Sequence, residues 1–237
     1  MMKKHAVIVT ALAIVVIVTG IISFYEFSQV TEGRLMSGSG LSKASCEKLV
    51  SRLENGERPE NARKLLRSMA VSYPEEMEPQ LWLFKLALER GDLKEAERRL
   101  TLMQVKDPES PATWESSCRL HLERDRFLQA RQACRENIRL SGRSAQNLNM
   151  LAASYLKANM YDKALDLLLE AREKVPDAPE IMSNLGFAHL GVGDVEKAIT
   201  VLERAVETDP DSESATRNLA TSYITSKDFG KAAENLE

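Results

Sequence analysis

From residue 43 onward, apolar residues recur three and four positions apart, in stretches interrupted by short breaks such as Arg90-Gly91-Asp92 and Val192-Gly193-Asp194. That spacing places them on one face of an α-helix, so the body predicts as a series of amphipathic helices arranged in pairs around the breaks. The pairs repeat at a fixed period. Ala62, Ala96, Ala130, Ala164, Ala198 and Ala232 follow one another at steps of 34 residues. Leu66, Leu100, Leu168, Leu202 and Leu236 stand four residues beyond those alanines, with Cys134 as the exception. Leu49, Leu83, Leu151, Leu185 and Leu219 stand thirteen before them, with Ser117 as the exception. Pro74, Pro108, Pro176 and Pro210 close the units, with Gly142 standing in once. A small alanine lets two helices approach, the leucines fill the space beside it, and proline ends the second helix. A unit of this size cannot bury its apolar face alone, so neighbours must stack.

The unit at 179–212, with Leu185, Gly186, Ala198, Leu202, Ala205 and Pro210, resembles the tetratricopeptide repeat. The unit at 145–178 does so through Leu151, Ala152, Tyr155, Ala164, Ala171 and Pro176, while 111–144 keeps Trp114 and Ala130 but departs at Ser117, Cys118 and Gly142. The resemblance implies an all-α fold, a right-handed superhelical solenoid of about six helix pairs. The units start at 43, 77, 111, 145, 179 and 213, and the last is incomplete at Glu237. No polar capping helix follows it; truncation and coverage of Leu236 by a partner both remain open.

Residues 6–25 read differently. AVIVTALAIVVIVTGIISFY contains no charge over twenty residues. As a helix it spans about 30 Å, the hydrocarbon thickness of a bilayer. A cleaved signal peptide carries a shorter apolar region and a small-residue cleavage site, whereas here Phe24, Tyr25 and Phe27 follow the run. The expectation is therefore an uncleaved transmembrane helix preceding the solenoid. Lys3 and Lys4 on one side, against Glu26 and Glu32 on the other, put the N-terminus in the cytoplasm. In a bacterium the anchor would then lie in the inner membrane with the repeats in the periplasm. Residues 26–42, with Gly33, Gly38 and Gly40 among several serines, read as a flexible linker.

Composition narrows the function. The formal net charge is -3, from 32 basic and 35 acidic residues, with no basic stripe of the kind nucleic acid requires. No metalloprotease, hydrolase or cysteine-nucleophile motif occurs, and Gly186 to Gly193 lacks the Lys-Ser/Thr and the preceding strand of a phosphate loop. The chain is expected to be no enzyme, with no cofactor and no metal. His121 and His189 occupy the column that holds Tyr155 and Tyr223, which points to packing between helices rather than catalysis. Cys118 and Cys134 fall on the two helices of one unit, in columns that also hold Ala152 and Leu168. A disulfide and a pair of buried free thiols both fit that placement; Cys46 would stay single either way.

The family's concave groove is lined by the first helix of each unit. Carried over, that lining comprises Leu81, Trp82, Lys85, Leu88, Glu115, Arg119, Leu122, Asn149, Met150, Leu156, Asn184, Phe187, Leu190, Arg217, Asn218 and Ile224. Trp82, Met150 and Phe187 are the expected pocket liners. The amides of Asn149, Asn184 and Asn218 are expected to hold the backbone of an extended peptide. Chaperone-binding members clamp a terminal carboxylate with cationic residues on this lining. Here Asn149, Ala153, Asn184, Ser214 and Asn218 stand in those places, which disfavours such a clamp. The resemblance thus implies a membrane-tethered scaffold that binds a protein or peptide partner, in envelope assembly, secretion, pilus biogenesis or cytochrome maturation. The alternatives are a self-associating structural protein, which would form homo-oligomers, and an organelle-surface receptor with its repeats in the cytosol.

Overall fold

The computed structural model describes residues 66–71 and 76–235, all within one compact unit, Arg63–Glu237. The apolar run 6–25, the linker 26–42, Cys46 and most of the unit starting at 43 lie outside the described residues, as does Leu236. After a helical stretch over 66–71 come ten helices: α1 (Glu78–Glu89), α2 (Leu93–Lys106), α3 (Pro111–Glu123), α4 (Phe127–Ser141), α5 (Ala145–Leu156), α6 (Tyr161–Lys174), α7 (Pro179–Val192), α8 (Val195–Thr208), α9 (Glu213–Thr225) and α10 (Phe229–Glu234). There is no strand among the described residues. None of these helices is long and apolar enough to cross a membrane.

Local chemistry starts and stops each helix. Pro111 and Pro179 are the first residues of α3 and α7, where a missing N–H costs nothing. Asp92, Ser144, Ser212 and Asp228 cap α2, α5, α9 and α10 by accepting the N–H three residues on. The turn inside each pair is set by one left-handed residue. Gly91, Asp125, Asn159, Gly193 and Lys227 all have φ between 53° and 88°, and they stand 34 residues apart. Glycine, aspartate and asparagine take this conformation at small cost, and lysine does not. In the unit that lacks a closing proline, side chains secure the end instead. Asn137 donates to Asn147 at 3.0 Å, and Asn147 donates to Ser141 and to the carbonyl of Gly142, each at 2.9 Å.

The repeated alanines lie where the two helices of a pair cross, and Ala96, Ala130, Ala164 and Ala198 are fully buried. Leu100, Leu168 and Leu202 fill the layer beside them. Each buried leucine contributes about 1.5–3 kcal/mol relative to an exposed one. Gly186 allows a close approach: a β-carbon there would meet the Leu202 side chain on α8. Packing order fixes the two faces. The first helices α1, α3, α5, α7 and α9 each touch the next first helix. The backbones of α2, α4, α6 and α8 come close to first helices and not to one another. The first helices therefore form the inner layer of the stack, and the second helices splay apart on the outside.

Candidate functional site

The inner layer has two chemically different halves. On α1 and α3 it is charged. Lys85 Nζ lies 4.5 Å above the ring of Trp82, and Arg119 pairs with Glu115 at 3.2 Å. Lys85, Arg119 and Glu115 share a shallow cleft with Leu88, Glu89 and Gln146. Leu81 is half-buried against the core beneath.

From α5 to α9 the inner layer carries an exposed Arg217–Glu213 pair on α9 and is crossed by a ladder of amides and hydroxyls. Gln146 donates to Glu115 at 3.3 Å, and Asn184 donates to Asn149 Oδ1 at 2.8 Å. Ser183 donates to Ser214 at 3.2 Å, and Asn218 approaches the carbonyl and hydroxyl of Ser183 at 3.5 and 3.4 Å. Each rung joins one first helix to the next.

The ladder gives the asparagines a role beyond the expected one. Asn184 and Asn218 each give an amide proton to the preceding unit, and Asn149 receives one, so these groups first hold the helices in register. Asn149 is 9% exposed and forms part of the floor. Met150 is also 9% exposed and belongs to the core cluster of Leu148, Leu151 and Leu168, so it is not an open pocket liner. The reason is geometric: a first helix is flanked by two other first helices and by second helices, so its buried arc is wide. Phe187 and Leu190 remain half-buried at the surface of the core, and Ile224 is 51% exposed.

Ser183 and Tyr161 were missed by sequence reasoning. Tyr161, at the start of α6, packs over Gly191 and meets Phe187 edge-on, with ring centroids 6.0 Å apart. It fixes the Phe187 ring in place. The absence of a side chain at Gly191, one turn beyond Phe187, was the available signal.

The column between neighbouring units holds Tyr155, Tyr223, His121 and His189 as the register places them. Tyr155 Oη accepts from Arg135 at 2.7 Å. Tyr223 donates to Glu203 at 2.7 Å, and burial together with that carboxylate pushes its pKa up to about 12. The histidines find no equivalent partner. Their Nδ1 atoms are buried without a hydrogen bond, although Asp194 Oδ2 stands 3.7 Å from that of His189. Burial lowers the pKa of both, aided at His121 by Arg126 and Arg124 and opposed at His189 by Asp194. Cys118 and Cys134 face each other across α3 and α4, Cα atoms 5.1 Å apart and sulfurs at bonding distance. They fill the place occupied by Gly186 and Leu202 two units later. No group of three or more potential metal ligands occurs among the described residues.

A family model described as the tetratricopeptide repeat matches residues 149–213 and 184–237. Comparison with curated proteins found no match. Among solved structures the fold is similar to that of a thermophilic TPR protein in Thermus thermophilus, at 20% identity and a TM-score of 0.64, covering 77% of this chain and all of that one. It is similar to YrrB, described as a TPR protein with an unusual peptide-binding site, at 18% identity and a TM-score of 0.52, over 72% of this chain and 88% of that one. It is also similar to PilF of Pseudomonas aeruginosa, at 19% identity and a TM-score of 0.58, over 67% and 72% of the two chains. At these identities the likeness is one of fold. The family model thus identifies residues 149–237 as tetratricopeptide repeats, and the fold over a larger part of the chain is similar to that of proteins built from them.

Proposed function

We propose that this protein is a binding scaffold that holds an extended segment of a partner protein along the inner layer of its first helices. The observation that carries this reading is the stretch from Asn149 to Ile224. There, half-buried or exposed Phe187, Leu190 and Ile224 alternate with the amides and hydroxyls of Asn149, Asn184, Ser214 and Asn218. Apolar side chains supply pockets for alternate residues of an extended peptide, and the amide and hydroxyl atoms that the ladder leaves unused supply donors and acceptors for its backbone. The ion pair on this half, Arg217 with Glu213, carries both signs, which favours neither an acidic nor a basic tail. YrrB, described as having an unusual peptide-binding site, shows that this fold can serve peptide binding.

Binding without catalysis remains part of the proposal, resting on the absence of catalytic motifs in the sequence. A membrane-tethered, periplasmic setting in envelope assembly is likewise a proposal. It rests on the uncharged run 6–25 and on Lys3 and Lys4, and a topology reporter fused after Glu237 tests it.

The binding reading is tested by photo-crosslinking from position 187, with position 207 as control. Phe187 is half-buried on the inner layer, and the Glu207 side chain is 66% exposed on α8. A discrete adduct with another protein from 187 and none from 207 is expected. Adducts with the chain itself would favour a self-associating structural protein. Equal labelling from both positions, or none from 187, would remove the inner layer as the site.

A further inference from the structure

The aromatic column provides a comparison internal to the chain. Tyr155 and Tyr223 are separated by two repeats, and the same step carries Glu203 back onto Arg135 and Lys231 back onto Lys163. Around Tyr223 the set is complete in itself. The hydroxyl donates to Glu203 at 2.7 Å, and Lys231 Nζ lies 5.4 Å from the ring centroid. Around Tyr155 the cation over the ring is kept, with Lys163 Nζ at 5.9 Å, and Arg131 is added at 5.4 Å. The carboxylate is gone. Arg135 occupies its place in the register and donates to the Tyr155 hydroxyl at 2.7 Å. Because that hydroxyl accepts from Arg135, it retains its own proton to donate.

The surroundings leave the positive charge unmatched. Among the described residues Arg131, Arg135 and Lys163 pair with no carboxylate. Arg135 and Lys163 line a cleft floored by Leu151 and Tyr155, together with Arg143 and Asp166. Arg143 is engaged by Glu170, so Asp166 is the one negative group lining the cleft. Three cations around a buried phenol, where the equivalent unit holds a carboxylate, is an arrangement with an anion subtracted. Arg135 and Lys163 are exposed, so both are open to a group arriving from solvent, while the Tyr155 ring beneath them is buried.

We infer that this outer cleft between α4 and α6 binds a carboxylate from outside the chain, the side chain of an aspartate or glutamate in a protein segment. The carboxylate accepts from the Tyr155 hydroxyl and is held by Arg135 and Lys163 through charge-assisted hydrogen bonds. The site faces away from the Asn149–Asn184 ladder and stands independently of the inner-layer reading. The two surfaces would engage chemically different segments, one without an acidic or basic bias inside and an acidic one outside.

The test titrates the full chain, in a mild non-ionic detergent at low salt, into fluorescein-labelled hexaglutamate followed by anisotropy. Labelled hexaglutamine is the control. Arg135→Glu rebuilds the Tyr223–Glu203 arrangement inside the chain, so it fills the site without removing a core group. It is expected to weaken hexaglutamate binding about tenfold or more, the scale of one lost charge-assisted hydrogen bond. Its melting temperature should be unchanged or raised. Lys94→Glu, the same charge change on the exposed side of α2, is expected to leave the affinity within about twofold. Equal binding by the wild type and Arg135→Glu, equal loss in Lys94→Glu, or binding of hexaglutamine as tight as hexaglutamate would each overturn the inference. Should Arg135→Glu fail to fold, Tyr155→Phe removes only the hydroxyl, and an unchanged affinity there overturns it as well. Glutarate should displace the labelled peptide more readily than inorganic phosphate, and the reverse order would rule out a carboxylate as the natural ligand.

Discussion

Gly186 and Leu202 offer a test of the packing in which the sign of an effect should reverse. Gly186 lies on α7 opposite Leu202 on α8. A β-carbon added at 186 would fall 2.7 and 2.8 Å from the two Leu202 methyls and closer still to its Cγ. Leu202 is fully buried and cannot swing aside. Overpacking of this kind costs about 1–3 kcal/mol. Alanine in place of glycine inside a helix returns about 1 kcal/mol through propensity. Gly186→Ala should therefore destabilise by about 1 kcal/mol, a fall of about 2–4 °C in Tm for a domain of this size. Leu202→Ala removes all three clashing atoms and by itself costs about 2–5 kcal/mol through the cavity it leaves. In that background Gly186→Ala meets open space, and the helix-propensity gain of about 1 kcal/mol should emerge. The four proteins form a double-mutant cycle with an expected coupling of about 1–3 kcal/mol. Urea unfolding followed by circular dichroism measures it. Stabilisation by Gly186→Ala alone, or a coupling below about 0.5 kcal/mol, would refute the close approach of α7 and α8.

Three further outcomes follow from particular residues. Counting free thiols on the unreduced protein should give one, from Cys46; reduction of a Cys118–Cys134 bond, closing a loop of separation 16, should lower stability by about 3 kcal/mol, and three free thiols would exclude the bond. Lys227 holds the left-handed turn position at φ 67°, where a non-glycine residue costs about 1–2 kcal/mol, so Lys227→Gly should raise the unfolding free energy measured in urea by a net of about 0.5–1 kcal/mol; no gain would mean that this turn is not strained. Burial holds the pKa of His121 and His189 below 6.5, so the unfolded chain takes up protons first as pH falls. Their contribution should be complete above the unfolded value and decline as pH drops through it toward the folded one, with unfolding free energies at pH 7.5 and 5.5 showing a smaller difference in His121→Gln/His189→Gln than in the wild type. Equal differences in the two proteins would reject that account.

The sequence by itself determined that the body is a stack of helix pairs. An alanine column with a leucine four residues on states both the helical period and the contact between paired helices, because crossing helices need a small residue at that point. The breaks at Arg90-Gly91-Asp92 and Val192-Gly193-Asp194 mark where a pair folds back, since the left-handed conformation favours glycine, whereas the same role for Asp125, Asn159 and Lys227 came from the structure. What helical periodicity cannot do is divide the surface of a first helix among its several neighbours. Successive side chains turn by about 100°, which separates an inner arc from an outer one but does not say which edge meets solvent. Only the placement of neighbouring helices put Met150 in the core, spent the amides of Asn149, Asn184 and Asn218 on register, and seated Phe187 under Tyr161. The exchange of Glu203 for Arg135 was present in the register from the start. It acquired meaning only when packing brought each of them against a tyrosine twenty residues away. Contacts between units depend on how far one pair rotates against the next, and that rotation follows from the summed packing of many side chains rather than from any residue's own preference.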